Sequence, residues 1–218
     1  MSNEIIKRII SSIILIPVAL FFIVKGTFFF NFFILICFII TGYEWHMMTK
    51  KKPYSVFGFF FLIFSFYSIY KLRNEFIGDY IYILLITLIC ISTDIGGYLF
   101  GNIFKGPKLT KLSPKKTYSG MIGGYFLATI SIATLYSNNL FFLKNEDLTL
   151  NIFIFIILVS SVSQLGDIFI SYFKRISKIK DTGKIIPGHG GLLDRADGMI
   201  FAFPFSYIIL KLEIFQYF

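Results

Sequence analysis

The chain has 218 residues, of which 56% are hydrophobic, 20% aromatic and only 15% charged, a composition that excludes an ordinary soluble domain. Its length leaves room for one integral membrane domain, 1–218. The formal net charge of +9 comes without a recognisable nucleic-acid-binding motif, so it favours anionic head groups and polyphosphates as partners and argues against nucleic acid.

Apolar segments long enough to cross a bilayer recur along the whole chain. A spanning helix needs about 20 apolar residues. The sequence therefore predicts an all-α polytopic protein with about seven transmembrane helices, in which 1–75 form scaffold helices and 76–218 carry the catalytic helices and loops. The predicted spans lie at 6–24, 27–45, 54–70, 79–99, 119–137, 150–172 and 197–214.

The distribution of lysine and arginine predicts the orientation of these helices. With the N-terminus in the cytoplasm, 16 of the 21 basic residues fall in cytoplasmic segments. Cytoplasmic loops of membrane proteins are enriched in Lys and Arg, so this bias supports seven spans with the C-terminus outside. Cys37 and Cys90 fall inside apolar spans without paired spacing, a pattern that argues against a disulfide or a metal site at these residues.

The first three spans carry few polar residues. The second one ends in Glu44, Trp45 and His46. Aromatic and polar residues are common at membrane interfaces, so we interpret Trp45 and His46 as an interfacial belt. For Glu44, the sequence leaves open either the polar edge of that belt or a side chain that reaches a functional site.

The fourth span changes character near its cytoplasmic end, where Asp94 is followed by Gly96, Gly97 and Gly101. The glycines are typical of close helix packing. Asp94 is either a capping or interfacial acid or part of a site, because ionisable residues within membrane spans are commonly functional.

A basic loop follows, and it contains Ser113-Pro-Lys-Lys-Thr117 just before the fifth span. Its composition fits an ordinary cytoplasmic loop. Its hydroxyls and lysines also suit phosphate contacts at a helix N-terminus.

The segment from Gln164 to Asp197 is the strongest functional signal. It begins and ends in apolar runs, yet it contains six basic and four acidic residues. Asp167 shares a helix face with Ser171 and Lys174, and Asp194 and Asp197 stand three residues apart where the last span begins. A solvated loop would not require acids at these helix ends, so we interpret the segment as a site.

Residues 171–197 read S-Y-F-K-R-x4-K-D-T-G-x2-I-P-G-H-G-G-L-L-D-R-A-D. This pattern resembles the signature of the phosphatidate cytidylyltransferases, also called CDP-diacylglycerol synthases. Gln164-x-Gly-Asp167 and Ser113-Pro-Lys-Lys-Thr117 also resemble that family, in the same order. Two departures are Asn102 and Ser119, where the family commonly has Arg and Glu.

The resemblance implies transfer of CMP from CTP to phosphatidate, which gives CDP-diacylglycerol and pyrophosphate in phospholipid biosynthesis. It implies a protein of the inner membrane whose active site faces the cytoplasm. The implied partners are CTP, phosphatidate and membrane lipids, and a homodimer is compatible with the resemblance. The implied cofactor is Mg²⁺, with room for a second cation. Carboxylates suit this ion, which prefers oxygen ligands.

The resemblance also implies roles for individual residues. The implied catalytic residues are Asp167, Lys174, Arg175, Asp181, His189, Asp194, Arg195 and Asp197. The implied metal ligands are Asp167, Asp194 and Asp197. The implied substrate-binding residues are Asp94, Ser113, Lys115, Lys116, Thr117, Ser171, Lys180, Gly190 and Gly191. For His189, phosphate binding and a structural hydrogen bond stay open as alternatives.

Two other functions are weighed against this one. An ion-coupled carrier would keep its charges near the membrane midplane within repeated halves, whereas here the charges cluster at one face. A CTP-using lipid kinase would share the polyphosphate chemistry, but the long His189-Gly-Gly-Leu-Leu-Asp-Arg-x-Asp197 pattern favours the cytidylyltransferase.

Overall fold

The computed structural model describes residues 2–76, 80–110, 113, 116–137 and 150–214, with side chains for all of these except 2–9, 12 and 27. The described chain is helical, and its only β-structure is two isolated bridges, Lys108 with Thr117 and Ile186 with Gly190. The helices are α1 (Ser2–Lys25), α2 (Thr27–Thr49), α3 (Ser55–Asn74), α4 (Ile81–Phe104), α5 (Tyr118–Ser137), α6 (Leu150–Ile176), α7 (Leu193–Ala196) and α8 (Met199–Lys211).

Each of the seven predicted spans overlaps one of these helices, and α7 is the short additional one. Within the described residues, α2 to α6 are long and apolar enough to cross a membrane. The apolar parts of the other two helices, Ile13–Lys25 and Met199–Lys211, are shorter. The all-α polytopic class is therefore confirmed, with five helices that meet the length requirement.

The outer surface of the bundle is apolar, as expected for a protein surrounded by lipid. Phe28 and Phe57 are 77% and 78% exposed, whereas Phe30 and Phe155 are fully buried. Because the bilayer is itself apolar, exposed phenylalanines on these helices carry no penalty. The core lies between α2, α3, α4, α6 and α8.

The closest helix pair is α4 with α5, which pack through glycines on both helices. A Cβ atom added to Gly96 would lie 2.3 Å from the carbonyl oxygen of Gly123, and one added to Gly120 would lie 2.7 Å from that of Gly97. Only glycine permits this approach. The packing interpretation of the glycines after Asp94 is thus confirmed.

Candidate active site

The last turns of α6 bring charged side chains to the loop that leads into α7. Lys174 lies on α6, and its Nζ is 2.9 Å from Oδ1 of Asp194 on α7. The side chains are 13% and 6% exposed, so the pair is largely shielded from water. A paired charge in such surroundings holds the two helices in one arrangement, because separating it would leave an uncompensated charge.

Asp194 also binds the backbone of the loop. Its Oδ2 accepts hydrogen bonds from the N–H groups of Thr182 (2.7 Å) and Gly191 (3.0 Å). Together with Lys174, these donors use both oxygens of the carboxylate. Asp194 therefore closes the loop 182–191 into a ring that is fixed to α6.

The environment of Asp194 alters its acidity. Burial alone would raise the pKa of the Asp194 carboxyl. The hydrogen bond from Lys174, the N–H groups of Gly191 and Thr182 and the charge of Lys174 outweigh that effect, so the pKa lies below its ordinary value. Asp194 is ionised throughout the neutral range.

A second carboxylate, that of Glu44 on α2, binds the same loop. Glu44 is 1% exposed and accepts hydrogen bonds from the N–H groups of Leu192 (3.0 Å) and Leu193 (2.8 Å) and from Oγ1 of Thr182 (3.1 Å). Leu193 is the first residue of α7 and Leu192 directly precedes it, so the carboxylate binds the otherwise unpaired N–H groups at the helix start. Glu44 thus connects the segment expected to be scaffold, 1–75, directly to the loop.

Two positions in the loop require glycine because a Cβ atom there would lie too close to these carboxylates or to Thr182. Gly190 has φ +92°, and a Cβ there would lie 2.9 Å from Oδ2 of Asp194. A Cβ on Gly191 would lie 2.3 Å from Oγ1 of Thr182 and 2.5 Å from Oε2 of Glu44. A larger residue at either position would push the loop away from its anchors.

His189 lies at the tip of the loop, in the tight turn formed where the N–H of Ile186 donates to the oxygen of Gly190. Its Nδ1 is 2.7 Å from Oγ of Ser11 on α1, and that hydroxyl also lies 3.1 Å from the carbonyl of Pro187. The carbonyl of His189 accepts from Nε and Nη2 of Arg195. These contacts favour a structural hydrogen-bonding role for the His189 ring.

Three further carboxylates, those of Asp94, Asp167 and Asp197, interact electrostatically with one another. Asp167 forms an ion pair with Lys116 (2.5 Å) and accepts a hydrogen bond from Ser171 (3.3 Å). Asp197 is buried and interacts electrostatically with both Asp167 and Asp94. Like charges that face one another repel, so this group attracts cations.

The loop before α5 reaches this carboxylate group through Lys116, which also donates to the carbonyl of Gln164 (3.2 Å). Thr117 accepts the N–H of Gly120 (3.1 Å) and thereby caps α5. The backbone carbonyl of Ser113 accepts a hydrogen bond from the N–H of Lys116. Lys115 lies outside the described residues. Ser119 hydrogen-bonds the carbonyl of Lys105, so this departure from the family pattern closes the loop.

Four more of the predicted site residues have exposed side chains. Arg175, Lys180 and Asp181 are exposed, as is Arg195 apart from its bonds to His189. Cations that have no buried carboxylate partner are available to anionic ligands. The site therefore combines anchored cations, Lys116 and Lys174, with exposed ones.

The three expected metal ligands do not form one cluster. No group of three His, Cys, Asp or Glu side chains that could hold a metal ion occurs among the described residues. Asp194 is satisfied by Lys174 and two N–H groups, whereas Asp167 and Asp197 belong to the carboxylate group with Asp94. Mg²⁺ takes one or two carboxylates and completes its shell with phosphates and water, so binding of this ion by Asp167, Asp194 and Asp197 stays a prediction.

Sequence reasoning gave little weight to two residues that the structure places at the site. Glu44 is separated from the loop by about 140 residues, and Ser11 by still more. The sequence signal for Glu44 was an acid at a helix end next to an apolar run. An ionised acid in such a position is costly in free energy unless it is paired. Nothing in the local pattern around Ser11 pointed to His189.

The sequence is similar to those of known proteins over most of its length. The model of the Cytidylyltransferase family matches residues 6–81 and 53–213. The phosphatidate cytidylyltransferase of Rickettsia bellii is 37% identical over 212 residues, which cover 93% of this chain and 89% of the relative. That of Rickettsia felis is 36% identical over 214 residues, or 95% and 92%. That of Staphylococcus aureus is 40% identical over 151 residues, or 67% and 54%.

Proposed function

Since this chain belongs to the cytidylyltransferase family, we propose that it transfers CMP from CTP to phosphatidate and thereby makes CDP-diacylglycerol for phospholipid biosynthesis. The relatives that match most of its length are phosphatidate cytidylyltransferases. The observation that carries the proposal is the concentration of cations and carboxylates where α6 meets the loop before α7, at one end of an otherwise apolar bundle.

The reaction requires two anions to meet. An oxygen of the phosphatidate phosphate attacks the α-phosphorus of CTP; a new P–O bond forms, the bond to the β-phosphate oxygen breaks, and pyrophosphate leaves with that oxygen. The attacking monoester is largely ionised at neutral pH, so no general base is needed. The protein's tasks are to position the two phosphates and neutralise their charge.

The basic residues of the site supply that neutralisation. Arg175, Lys180 and Arg195 are exposed and are suited to the triphosphate oxygens. Lys174 and Lys116 are anchored by Asp194 and Asp167, so their ammonium groups hold fixed positions in the site. Ser171 and the backbone of the Gly190 turn complete the polar surface next to them.

Asp167 and Asp197 would hold Mg²⁺, with Asp94 close by. When bound, the ion would supply positive charge that screens the repulsion between the two substrates. In this assignment Asp194 does not bind the ion but fixes the loop that carries Arg195. A chelator should abolish turnover and added Mg²⁺ should restore it; full activity in excess chelator would remove the metal from the proposal.

The proposal includes an orientation in the membrane. The chain would form a single domain, cross the inner membrane seven times with its N-terminus in the cytoplasm, and present the site to the cytoplasm. The support is the charge bias, in which the loops after α2, α4 and α6 carry most of the lysines and arginines. A homodimer is compatible with the exposed apolar faces of the outer helices.

The direct test uses purified protein in lipid or detergent with alternative substrates. Phosphatidate and CTP together should give CDP-diacylglycerol and pyrophosphate. Diacylglycerol should not replace phosphatidate, because it lacks the attacking phosphate. Phosphorylation of diacylglycerol at the expense of CTP would instead identify a lipid kinase.

A further inference from the structure

A buried arginine lies at the opposite end of the bundle from the candidate active site. Arg73 stands in the last turn of α3 and is 6% exposed. Its guanidinium carbon lies 5.4 Å from the ring centre of Phe30, which belongs to the first turn of α2. Glu44, which binds the active-site loop, is near the other end of α2, about 21 Å further along at the rise of an α-helix. Arg73 is therefore remote from the proposed chemistry.

Two aromatic rings contact the guanidinium group of Arg73. Besides Phe30, the ring of Tyr80, which directly precedes α4, has its centre 5.7 Å from the guanidinium carbon. The faces of aromatic rings attract cations, and a cation in the last turn of a helix interacts favourably with the helix dipole. Both effects stabilise the charge of Arg73, but the ring faces are not acceptors for the N–H groups in the guanidinium plane.

Within the described residues, Nε and Nη1 of Arg73 are buried and have no hydrogen-bond partner. The acid nearest to Arg73 in the sequence, Glu75, is already used by Lys71 and by the hydroxyl of Tyr207. A buried charge without a counter-charge is costly, and so is a buried donor without an acceptor. The position therefore suits a ligand that brings both acceptor oxygens and negative charge.

The place of Arg73 along the helices indicates the class of this ligand. Because α3 ends at Asn74 and α2 begins at Thr27, Arg73 lies where these apolar helices end, which is the level of the phospholipid head groups. A guanidinium group matches phosphate in geometry, since two of its N–H groups can bind two phosphate oxygens. Next to Phe30, Phe28 and Phe29 are exposed and offer an apolar surface to an acyl chain.

We propose that Arg73 binds the phosphate group of a membrane phospholipid, whose acyl chain lies against Phe28 and Phe29. In the proposed orientation this lipid belongs to the outer leaflet, away from the substrates. Its phosphate supplies the acceptors that Nε and Nη1 lack, and it thereby holds the start of α2, the end of α3 and Tyr80 together. Inorganic phosphate shares the recognised chemistry, so the experiment has to separate the free anion from the lipid.

Thermal unfolding of the delipidated protein in detergent tests the site with three additives. Phosphatidylglycerol carries a phosphate and acyl chains, diacylglycerol carries the chains alone, and inorganic phosphate carries the anion alone. A ligand that binds only the folded protein raises its melting temperature, so phosphatidylglycerol should raise it and the other two should raise it little. Equal stabilisation by diacylglycerol would exclude recognition of the phosphate, and equal stabilisation by inorganic phosphate would exclude a lipid site; either result overturns the proposal.

Variants assign the lipid effect to Arg73. Arg73→Met removes a buried unpaired charge, so without lipid it should be at least as stable as the wild-type protein. Its apparent Kd for phosphatidylglycerol, from melting temperatures over a lipid titration, should be about tenfold or more higher than that of the wild type. Lys71→Met, which removes a cation already paired with Glu75 in the same turn, is the matched control and should respond to the lipid as the wild type does. An Arg73→Met protein with an unchanged Kd would contradict the proposed site.

Photolabelling of the wild-type protein does not depend on how well a variant folds. A phosphatidylglycerol with a photoreactive group on its acyl chain should label peptides containing Phe28 or Phe29, and excess unlabelled phosphatidylglycerol, but not diacylglycerol, should remove this label. Phe57, which is equally exposed at the other end of α3, is the control for lipid that contacts the surface without a site, and its label should not be displaced selectively. Identical behaviour of the two regions would overturn the proposal. Neither experiment requires turnover of CTP, so its outcome is independent of the proposed function.

Discussion

Two buried carboxylates, those of Glu44 and Asp194, determine the shape of the loop between α6 and α7. Each accepts three hydrogen bonds, and both of them bind Thr182. Hydrogen bonds to ionised acceptors are stronger than neutral ones. The loop is therefore a rigid platform for Arg195, and its backbone N–H groups at Thr182, Gly191, Leu192 and Leu193 are used for structure.

Glu44→Gln tests this platform at its least expected residue. The substitution keeps the volume but places an NH₂ group against N–H donors, which leaves a buried donor unpaired at a cost of about 1–3 kcal/mol. We expect kcat to fall about tenfold or more through misplacement of Arg195, with a smaller change in the KM for phosphatidate. Initial rates over a range of both substrates measure this.

The matched control is Glu75→Gln, whose carboxylate contacts Lys71 and Tyr207 away from the site. It should retain full activity. An active Glu44→Gln protein with unchanged kcat would show that the loop does not need this anchor.

Substitutions of Asp167 and of Asp194 are expected to have different effects, although both residues are acids of one motif. Asp167→Asn should lower kcat roughly 10²-fold with little change in melting temperature, because it removes charge from the substrate side. Asp194→Asn should lower the melting temperature, because it leaves Lys174 without its buried partner. Thermal unfolding and initial rates, measured on the same preparations, separate the two effects; equal melting temperatures would contradict this assignment.

The pH dependence of the Asp194 contribution follows from the sign of its pKa shift. The pKa of the folded state is below the ordinary Asp value of about 3.9, so the stabilisation is fully present above that value. It is lost as the pH falls through the folded-state pKa. The wild-type protein should therefore lose melting temperature below about pH 4 more steeply than Asp194→Asn.

At the scale of the elements, α4 and α5 are held at a distance that only glycine allows. A Cβ on Gly96 would meet backbone atoms of Gly123 and Gly124 at 2.3–2.9 Å, whereas one on Gly97 would be 3.7 Å from the nearest atom. Gly96→Ala should destabilise the protein by about 1–3 kcal/mol, and Gly97→Ala should be tolerated. Thermal unfolding in detergent checks the pair, and equal melting temperatures would argue against this packing.

The helices themselves were predictable from the sequence, and so was the all-α class. Long apolar runs fix where a chain can cross a bilayer, and the six long helices and α8 lie where these runs predicted them. The separate helix α7 was not predictable, because four residues carry no periodic signal. It forms where the carboxylate of Glu44, distant in sequence, binds its first N–H groups.

The site was predictable to a similar extent. The motif identified Lys174, Asp194 and Asp167, but their partners depend on how helices pack, which no local pattern contains. Asp194 binds Lys174 and the loop, contacts that the motif does not reveal, and its role in a metal site with Asp167 and Asp197 stays a prediction. The tertiary contacts of Glu44 and Ser11 lie beyond any sequence window.

At the scale of the whole molecule, the orientation in the membrane is the first consequence to test. After Cys37 and Cys90 are replaced, a single cysteine in the loops 46–53, 102–118 or 176–190 should react with an impermeant reagent only from the cytoplasmic side. Sites in the stretches 71–79 and 138–149 should react only from outside. Labelling of any of the first three loops from outside would contradict the seven-span topology.

The central claim is that a nucleotidyl group, and not a phosphoryl group, moves from CTP to the lipid. Two parallel reactions with CTP labelled at the α- or the γ-phosphate, each with phosphatidate, measure this directly. Attack at the α-phosphorus predicts that the α-label enters the lipid as CDP-diacylglycerol and that the γ-label leaves as pyrophosphate. Recovery of the γ-label in the lipid, with release of CDP, would contradict the proposed function.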